Sequence, residues 1–460
     1  MTDSTLSSTR RPKDAGKQKA SIDMLHGPLS GKLVRFALPI ALCSMLQQLF
    51  NAADTSVVGH FADSNALAAV GTNGEIVAFL VTLSTGLSVG ANVWIASFIG
   101  ENKKEKIPPM LHTAVLFALL FGIFGTFAGI LASRPVLTII KTPASVLEQA
   151  VLYLRIYFLG YPFLMVYDFG SAILRAKGDS RRPFLALTFS GIINVFLNLF
   201  FVIVCGLGVA GVAIATDIST AFSAGLVLFW LNREKDAFHL SFRELGIHKA
   251  QLLSMLGTGI PAAVQGAVFC FANIFVQASV NSFGAAATAG STIAMNFEYF
   301  TYYIVTAFGQ TATTFSSQNF AAGKRDRCWQ ILKLCLVFSL LLTSAITYPI
   351  VIWKEEFSAL FTSEQQVIQI AGVRILCILL FQPICCLYEI PAGILRGTGH
   401  SALPAALTVL GICTLRIVWI FTIFQKFHTP EILYMAFPIS WVTTILLVWS
   451  AFLIIRPLRK

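Results

Sequence analysis

Carboxylates and carboxamides inside strongly apolar stretches are the residues of this chain best suited to chemistry. Gln47, Asn51 and Asp54 are spaced four and three residues apart, so their side chains share one face of a helix. An ionisable residue in a membrane-spanning helix is costly unless it faces protein or water, so each one is a candidate functional residue. We interpret this polar face as one wall of a hydrated cavity. The alternative is a polar cap at the end of the helix, because Gly59 follows closely.

Two later apolar stretches carry further oxygen-bearing side chains. Asn194 and Asn198 are four residues apart and share a helix face, and Thr216 lies in the next apolar stretch. Together with Asp54 they offer hard oxygen ligands for a small cation such as sodium, or they could hold a proton on a buried Asp. The alternative is ordinary hydrogen bonding between helices. Asp217 is the less favoured candidate, because it lies about 100° around the helix from Thr216.

A second group of acids occurs in pairs along the chain. A pattern of Pro, an acid, Leu-Arg, Gly, Ser and Pro over residues 162–183 returns over residues 383–404, an offset of 221 (383 − 162), and it pairs Asp168 with Glu389. Glu75 and Glu298 form a second pair, each standing eleven residues before a glycine. Aromatic residues flank three of these four acids, an arrangement that suits an organic cation. The alternative is that the acids neutralise three intramembrane arginines, Arg155, Arg374 and Arg416.

The composition of the chain is that of a membrane protein. It has 460 residues, of which 56% are hydrophobic and 12% are charged, whereas a soluble domain is typically about 25% charged. Stretches of about 20 apolar residues span a bilayer. We predict twelve such spans, near residues 33–58, 67–98, 109–133, 149–174, 183–205, 208–231, 251–282, 285–319, 328–352, 365–395, 404–425 and 431–455.

The repeat and the spans together predict an all-α polytopic membrane protein with two six-helix lobes around a central cleft. Each repeat holds six spans, an even number, so both lobes have the same orientation and are related by a pseudo-twofold axis along the membrane normal. We predict a disordered cytoplasmic tail (1–30), an N-lobe (31–231), a polar cytoplasmic linker (232–250) and a C-lobe (251–460).

The net charge of +11 follows from topology and does not indicate a nucleic-acid partner. If the N-terminus is inside, the inner segments hold twenty-five Lys and Arg residues, and the outer loops hold four: Arg134, Lys141, Lys354 and Lys426. This positive-inside bias predicts cytoplasmic termini and a plasma (inner) membrane location. The nine cysteines lack metal-ligand spacing, and no nucleotide-binding motif or catalytic triad is present, so we expect neither an enzyme nor a cofactor.

Several motifs resemble the multidrug and toxic compound extrusion (MATE) transporters of prokaryotic type. They cover about residues 30–456 and appear in order in both halves. The first half has Leu-Pro39-Ile, Gln47-Gln48-x2-Asn51-x2-Asp54-x4-Gly59, Ala68-Ala69-Val70-Gly71, Leu174-Arg175-Ala-x-Gly178-Asp179 and Gly208-Val-Ala-Gly211-Val-Ala-Ile-Ala-Thr216. The second half has Gln318-Asn319-x3-Gly323-Lys324 and Leu395-Arg396-Gly-x-Gly399.

The resemblance implies export of cationic or amphipathic compounds against an inward flow of protons or sodium. It also implies an ion site to which Asp54, Asn194 and Thr216 belong, and a bend of the first helix at Pro39. Asn198 occupies a position where the relatives that use this site have Asp, which leaves the identity of the ion open.

Three functions remain open on the sequence. The favoured one is a monomeric antiporter for organic cations, driven by a proton or sodium gradient, with Gln47, Asn51 and the four paired acids as candidates for lining the substrate cleft. The first alternative is a flippase of the same superfamily for lipid-linked oligosaccharides, which would need the intramembrane arginines to line the cleft. The second is a channel or membrane scaffold without coupled transport.

Overall fold

The computed structural model describes residues 21–61, 64–140 and 142–459, and helices dominate all three ranges. The first half contains α1 (Ser30–Phe61), α2 (Ser64–Gly100), α3 (Ile107–Ile139), α4 (Ala144–Lys177), α5 (Arg181–Leu199) and α6 (Gly208–Asn232). The second half contains α7 (Lys249–Asn281), α8 (Ala285–Ala321), α9 (Arg325–Ile352), α10 (Lys354–Ala359), α11 (Gln365–Ile378), α12 (Cys386–Gly397), α13 (Ala402–Thr408), α14 (Leu415–Phe421), α15 (Ile423–Lys426) and α16 (Pro430–Ile455).

These helices form twelve long segments, so the predicted all-α fold class is confirmed. A 3-10 turn (Leu379–Cys385) joins α11 to α12, and a π-helical turn (Val409–Thr414) joins α13 to α14, so each pair makes one span. In the described chain, eleven segments are both long and apolar enough to cross a membrane. The twelfth is α8, which is as long as α2 but more polar. Most of its Ser and Thr side chains are buried against other helices, so it needs no apolar surface.

Successive segments run antiparallel, so their ends gather on two faces of the bundle. We define the basic face as the one that holds the start of α1, α3, α5, α7 and α9 and carries Lys103, Lys177, Arg182, Lys324 and Arg327. The opposite face holds the short turns between α5 and α6 and between α7 and α8. The predicted polar linker lies on the basic face, where Lys177 Nζ contacts the carboxylates of Glu234 and Asp236 at 2.8 Å.

The first helix of each half crosses from one half of the molecule to the other. Leu33 and Phe36 in α1 belong to the apolar core of the second half, whereas Val58 at the other end of α1 belongs to the core of the first half. α7 does the reverse, with Met255 in the first core and Val276 in the second. Each helix contains a proline near the crossing, Pro39 or Pro261, which removes a backbone hydrogen bond and permits a bend there.

Glycines bring the two halves into backbone contact near the basic face. A Cβ atom added to Gly90 of α2 would lie 2.0 Å from the carbonyl oxygen of Met255, and one added to Gly259 of α7 would lie 2.5 Å from that of Leu87. Hydrogen bonds continue the contact, since Thr314 Oγ1 donates to Asn92 Oδ1 at 2.9 Å. The two halves are therefore closed against each other on the basic side.

The segment before α1 also bridges the halves on the basic face. The Ile22 amide donates to the Gly178 carbonyl of the first half at 2.9 Å. Met24 is buried, and its carbonyl accepts from Asn319 Nδ2 of the second half at 3.1 Å. The packed chain thus begins before residue 30, where we placed the end of a disordered tail, because this segment supplies an apolar side chain and carbonyl acceptors. Residues 1–20 of that predicted tail lie outside the described residues.

Candidate functional site

The structure brings Asp54, Asn194, Asn198 and Thr216 together inside the first half. Asn198 Nδ2 donates a short hydrogen bond to one oxygen of Asp54. Thr216 Oγ1 lies 3.3 Å from the other oxygen, and Asn194 Nδ2 lies 3.4 Å from Thr216 Oγ1. Asn198 Nδ2 also lies 3.2 Å from Asn194 Oδ1, so the four side chains form one connected polar network. Its role in ion binding stays a prediction.

The network is buried and holds one carboxylate without a neutralising base. Asp54 is 7% exposed and Asn198 is fully buried. Across the described residues, no Lys, Arg or His side chain lies within ion-pair distance of Asp54. Asn198 Oδ1 is buried without a hydrogen-bond partner. Because a buried carboxylate and an unsatisfied oxygen are both costly in apolar surroundings, this site favours a bound proton or cation.

Three helices hold these side chains in place through simple sequence features. The four-residue spacing of Asn194 and Asn198 puts both on the buried face of α5, directly before its continuation as a π-helical turn (Phe200–Val204). Thr216 Oγ1 also donates to the Val212 carbonyl at 3.0 Å, which fixes its rotamer in α6. Asp54 reaches the site because α1 has crossed into the first half by this point.

The remaining polar residues of α1 do not join this network. Asn51 is exposed and Gln47 is half-buried, although both share a helix face with Asp54. Gln48 is the residue of this helix that meets the second half, where its Oε1 accepts from the Tyr303 hydroxyl at 3.3 Å. The less favoured Asp217 points elsewhere: its carboxylate lies against Gly160 of α4, where an added Cβ would be 2.0 Å from Oδ1.

Glu298 is already neutralised by an arginine of the same half. Arg374 Nε and Nη2 contact its two oxygens at 2.6 and 2.9 Å, and Arg374 Nη1 donates to Ser291 Oγ at 2.5 Å. The Glu298 carbonyl also accepts from Gln382 Nε2 at 2.7 Å. Glu298 is thus arranged as in the alternative interpretation, in which paired acids hold helices together.

The other three paired acids differ from one another. Glu389 contacts Arg396 Nη2 at 2.5 Å, so it too has a basic partner. Asp168 is buried and accepts from Thr85 Oγ1 at 3.3 Å, and Glu75 is exposed on α2. Sequence reasoning missed Arg396, although the repeated motif places an Arg seven residues after each acid in both halves. The substrate role of these acids stays a prediction.

Fold and site together define a polytopic membrane transporter built by internal duplication. The sequence profile of the MatE family matches the chain twice, at residues 39–200 and 261–422, an offset of 222 residues (261 − 39). These matches cover more than half of the chain, so this protein belongs to the MatE family. The prediction that it is a transporter and not an enzyme is confirmed.

Individual relatives match over nearly the whole chain. The probable multidrug resistance protein YoeA of Bacillus subtilis is 24% identical over 90% of this chain and 91% of its own length. The probable multidrug resistance protein NorM of Thermotoga maritima is 26% identical over 86% of each chain. A solved outward-facing structure of a multidrug resistance MATE family transporter matches with a TM-score of 0.87 at 20% identity, covering 95% of this chain and 98% of that one.

Proposed function

We propose that this protein is a secondary antiporter that exports organic cations or amphipathic compounds in exchange for inward protons or sodium. The observation that carries the proposal is the buried Asp54 carboxylate, which contacts Asn198 and Thr216 and lacks a basic partner among the described residues. A fixed structural acid would have a permanent counter-ion, as Glu298 has in Arg374. An acid without one can gain and lose a cation.

The amide of Asn198 suits a site that alternates between occupied and empty. With Nδ2 toward Asp54, the amide stabilises the bare carboxylate. Turning the amide would present Oδ1 instead, beside Asp54, Asn194 Oδ1 and Thr216 Oγ1, which are all hard oxygen ligands that suit sodium. Protonation of Asp54 would neutralise the same carboxylate with a single proton. Either event removes the charge that attracts α5 and α6 to α1.

Neutralisation can reach the rest of the molecule through α1. This helix contacts the site with its outer part and the core of the second half with its inner part, and Pro39 lies near the junction. We propose that Pro39 is the bending point and that a change at Asp54 alters the angle between the two parts. That angle sets how closely the halves approach on the opposite side, where Gln48 and Tyr303 meet.

The polar residues beyond the ion site are the proposed substrate contacts. Gln47, Asn51 and Glu75 lie on α1 and α2 and are half-buried or exposed. Tyr299 and Tyr303 stack with ring centroids 6.3 Å apart on α8 and provide an aromatic surface for a cationic ring. Glu298 and Glu389 are left out of this surface, because arginines occupy both carboxylates. Arg374 is therefore not free to bind pyrophosphate, and no observation favours the flippase alternative.

We place the basic face in the cytoplasm and the protein in the plasma membrane as a monomer, because Lys and Arg concentrate on that face. We expect no bound cofactor. The test uses purified protein in liposomes loaded with a fluorescent dye cation, with a proton gradient and a sodium gradient imposed separately. Efflux that one gradient drives and the other does not would identify the coupling ion. Absence of efflux under both gradients would refute antiport.

A further inference from the structure

Arg416 is a buried base without an acidic partner in the second half. Its side chain is 2% exposed, and among the described residues no carboxylate lies within ion-pair distance of it. Nε donates to Ser440 Oγ at 3.1 Å, and the guanidinium carbon lies 3.9 Å from the centre of the Phe437 ring. The ring covers one face of the guanidinium, whereas the N–H groups of its two terminal amino groups point within the plane and have no described partner.

The position of Arg416 is the internal duplicate of the ion site. At the 222-residue offset of the two family matches, Asn194 corresponds to Arg416 (416 − 222 = 194). The same offset pairs Asp54 with Val276 and Asn198 with Ile420, two buried residues of the apolar core of the second half. The second half has thus lost the acid and gained a base at the same depth, which reverses the charge of the site.

The surroundings of Arg416 supply further hydrogen-bond donors. The hydroxyls of Tyr302 and Tyr388 lie 3.5 Å apart, and both tyrosines lie within electrostatic range of the guanidinium. Ser440 is occupied, because its hydroxyl donates to the Phe437 carbonyl at 2.7 Å, so its role is to orient the guanidinium. The π-helical turn Val409–Thr414 directly precedes this stretch of helix, and such turns are frequent at functional sites.

We propose that Arg416, with Tyr302 and Tyr388, forms a binding site for the carboxylate group of a small organic acid. The planar fork of a guanidinium matches the two oxygens of a carboxylate, and a charge-assisted pair of this kind is strong where water is excluded. Arg374 shows the same chemistry already satisfied by Glu298. The site goes beyond the proposed cation export, because it would admit substrates that carry a negative group.

The test measures equilibrium binding of radiolabelled benzoate to the purified full chain, without any ion gradient. The wild type should bind benzoate saturably, and Arg416→Gln should weaken binding roughly tenfold or more, since charge-assisted hydrogen bonds are lost. Arg416→Lys keeps the charge without the fork and should also weaken binding about tenfold. Tyr388→Phe removes one hydroxyl and should weaken it less. The control is Arg155→Gln, which removes an exposed intramembrane arginine and should leave binding unchanged.

Competition separates a carboxylate site from a general anion site. Acetate should displace benzoate at lower concentration than chloride does. Equal or better displacement by chloride would overturn the carboxylate assignment. Absence of saturable benzoate binding, or unchanged affinity in a folded Arg416→Gln or Arg416→Lys variant, would overturn the site itself. Since no gradient is used, these outcomes are independent of whether the protein is an antiporter.

Discussion

Replacing Glu298 with Gln should destabilise the second half strongly. In the wild type the Arg374 guanidinium makes two bonds to Glu298, at 2.6 and 2.9 Å, and one to Ser291 at 2.5 Å. The Gln side chain is nearly isosteric but neutral, and it can accept one of the two bonds. Removing one partner of a buried ion pair typically costs about 3–5 kcal/mol, because the remaining charge is left uncompensated. With one bond retained, we expect a loss near the lower limit, about 3 kcal/mol.

The chain offers a matched control for this variant. Glu75 is the duplicate of Glu298, but it is exposed on α2, and Glu75→Gln should change stability by no more than about 0.5 kcal/mol. Both variants are compared with the wild type by reversible denaturant unfolding in the same detergent. The double variant Glu298→Gln/Arg374→Met should recover most of the loss, since it leaves no unpaired charge. A Glu298→Gln variant as stable as Glu75→Gln would refute the assignment of this pair as a buried ion pair.

Three further outcomes follow from the contacts between helices and within the ion site. Asn198→Asp adds a second carboxylate beside Asp54, so it should raise sodium stimulation of dye efflux in liposomes; an unchanged sodium dependence would contradict the site. Gly90→Val places a side chain against the Met255 carbonyl and should abolish efflux, whereas Gly74→Val, where an added Cβ meets nothing within 4 Å, should not. Met24→Ala should cost about 2 kcal/mol or more in unfolding free energy, as large-to-small changes at buried sites do, and the half-buried Leu25→Ala should cost less.

Much of the fold could be predicted because membranes impose simple rules on sequence. Eleven spans announce themselves by length and apolarity, and the repeated motif shows that the halves match. α8 was harder, since its Thr and Ser side chains are buried in the bundle and its hydropathy is lower. The repeat located it, because Glu298 and Gly309 of α8 are spaced as Glu75 and Gly86 are in α2.

The candidate ion site could be assembled from spacing, but the partners of the other acids could not. Helical periodicity puts Asn194 and Asn198 on one face, and the resemblance to the family supplied the register with α1 and α6. The partner of Glu298 lies 76 residues away (374 − 298), and only packing decides that it is Arg374. The crossing of α1 between the halves is likewise a tertiary feature, which no local pattern in residues 30–61 encodes.

The measurement closest to the central claim is gradient-driven dye efflux by Asp54→Asn, compared with Asp217→Asn, in liposomes. Both variants remove a carboxylate from a membrane helix, but only Asp54 contacts Asn198 and Thr216. We predict that Asp54→Asn abolishes coupling to the driving ion, while Asp217→Asn retains it. Coupled efflux of wild-type rate and ion dependence in Asp54→Asn would contradict the account.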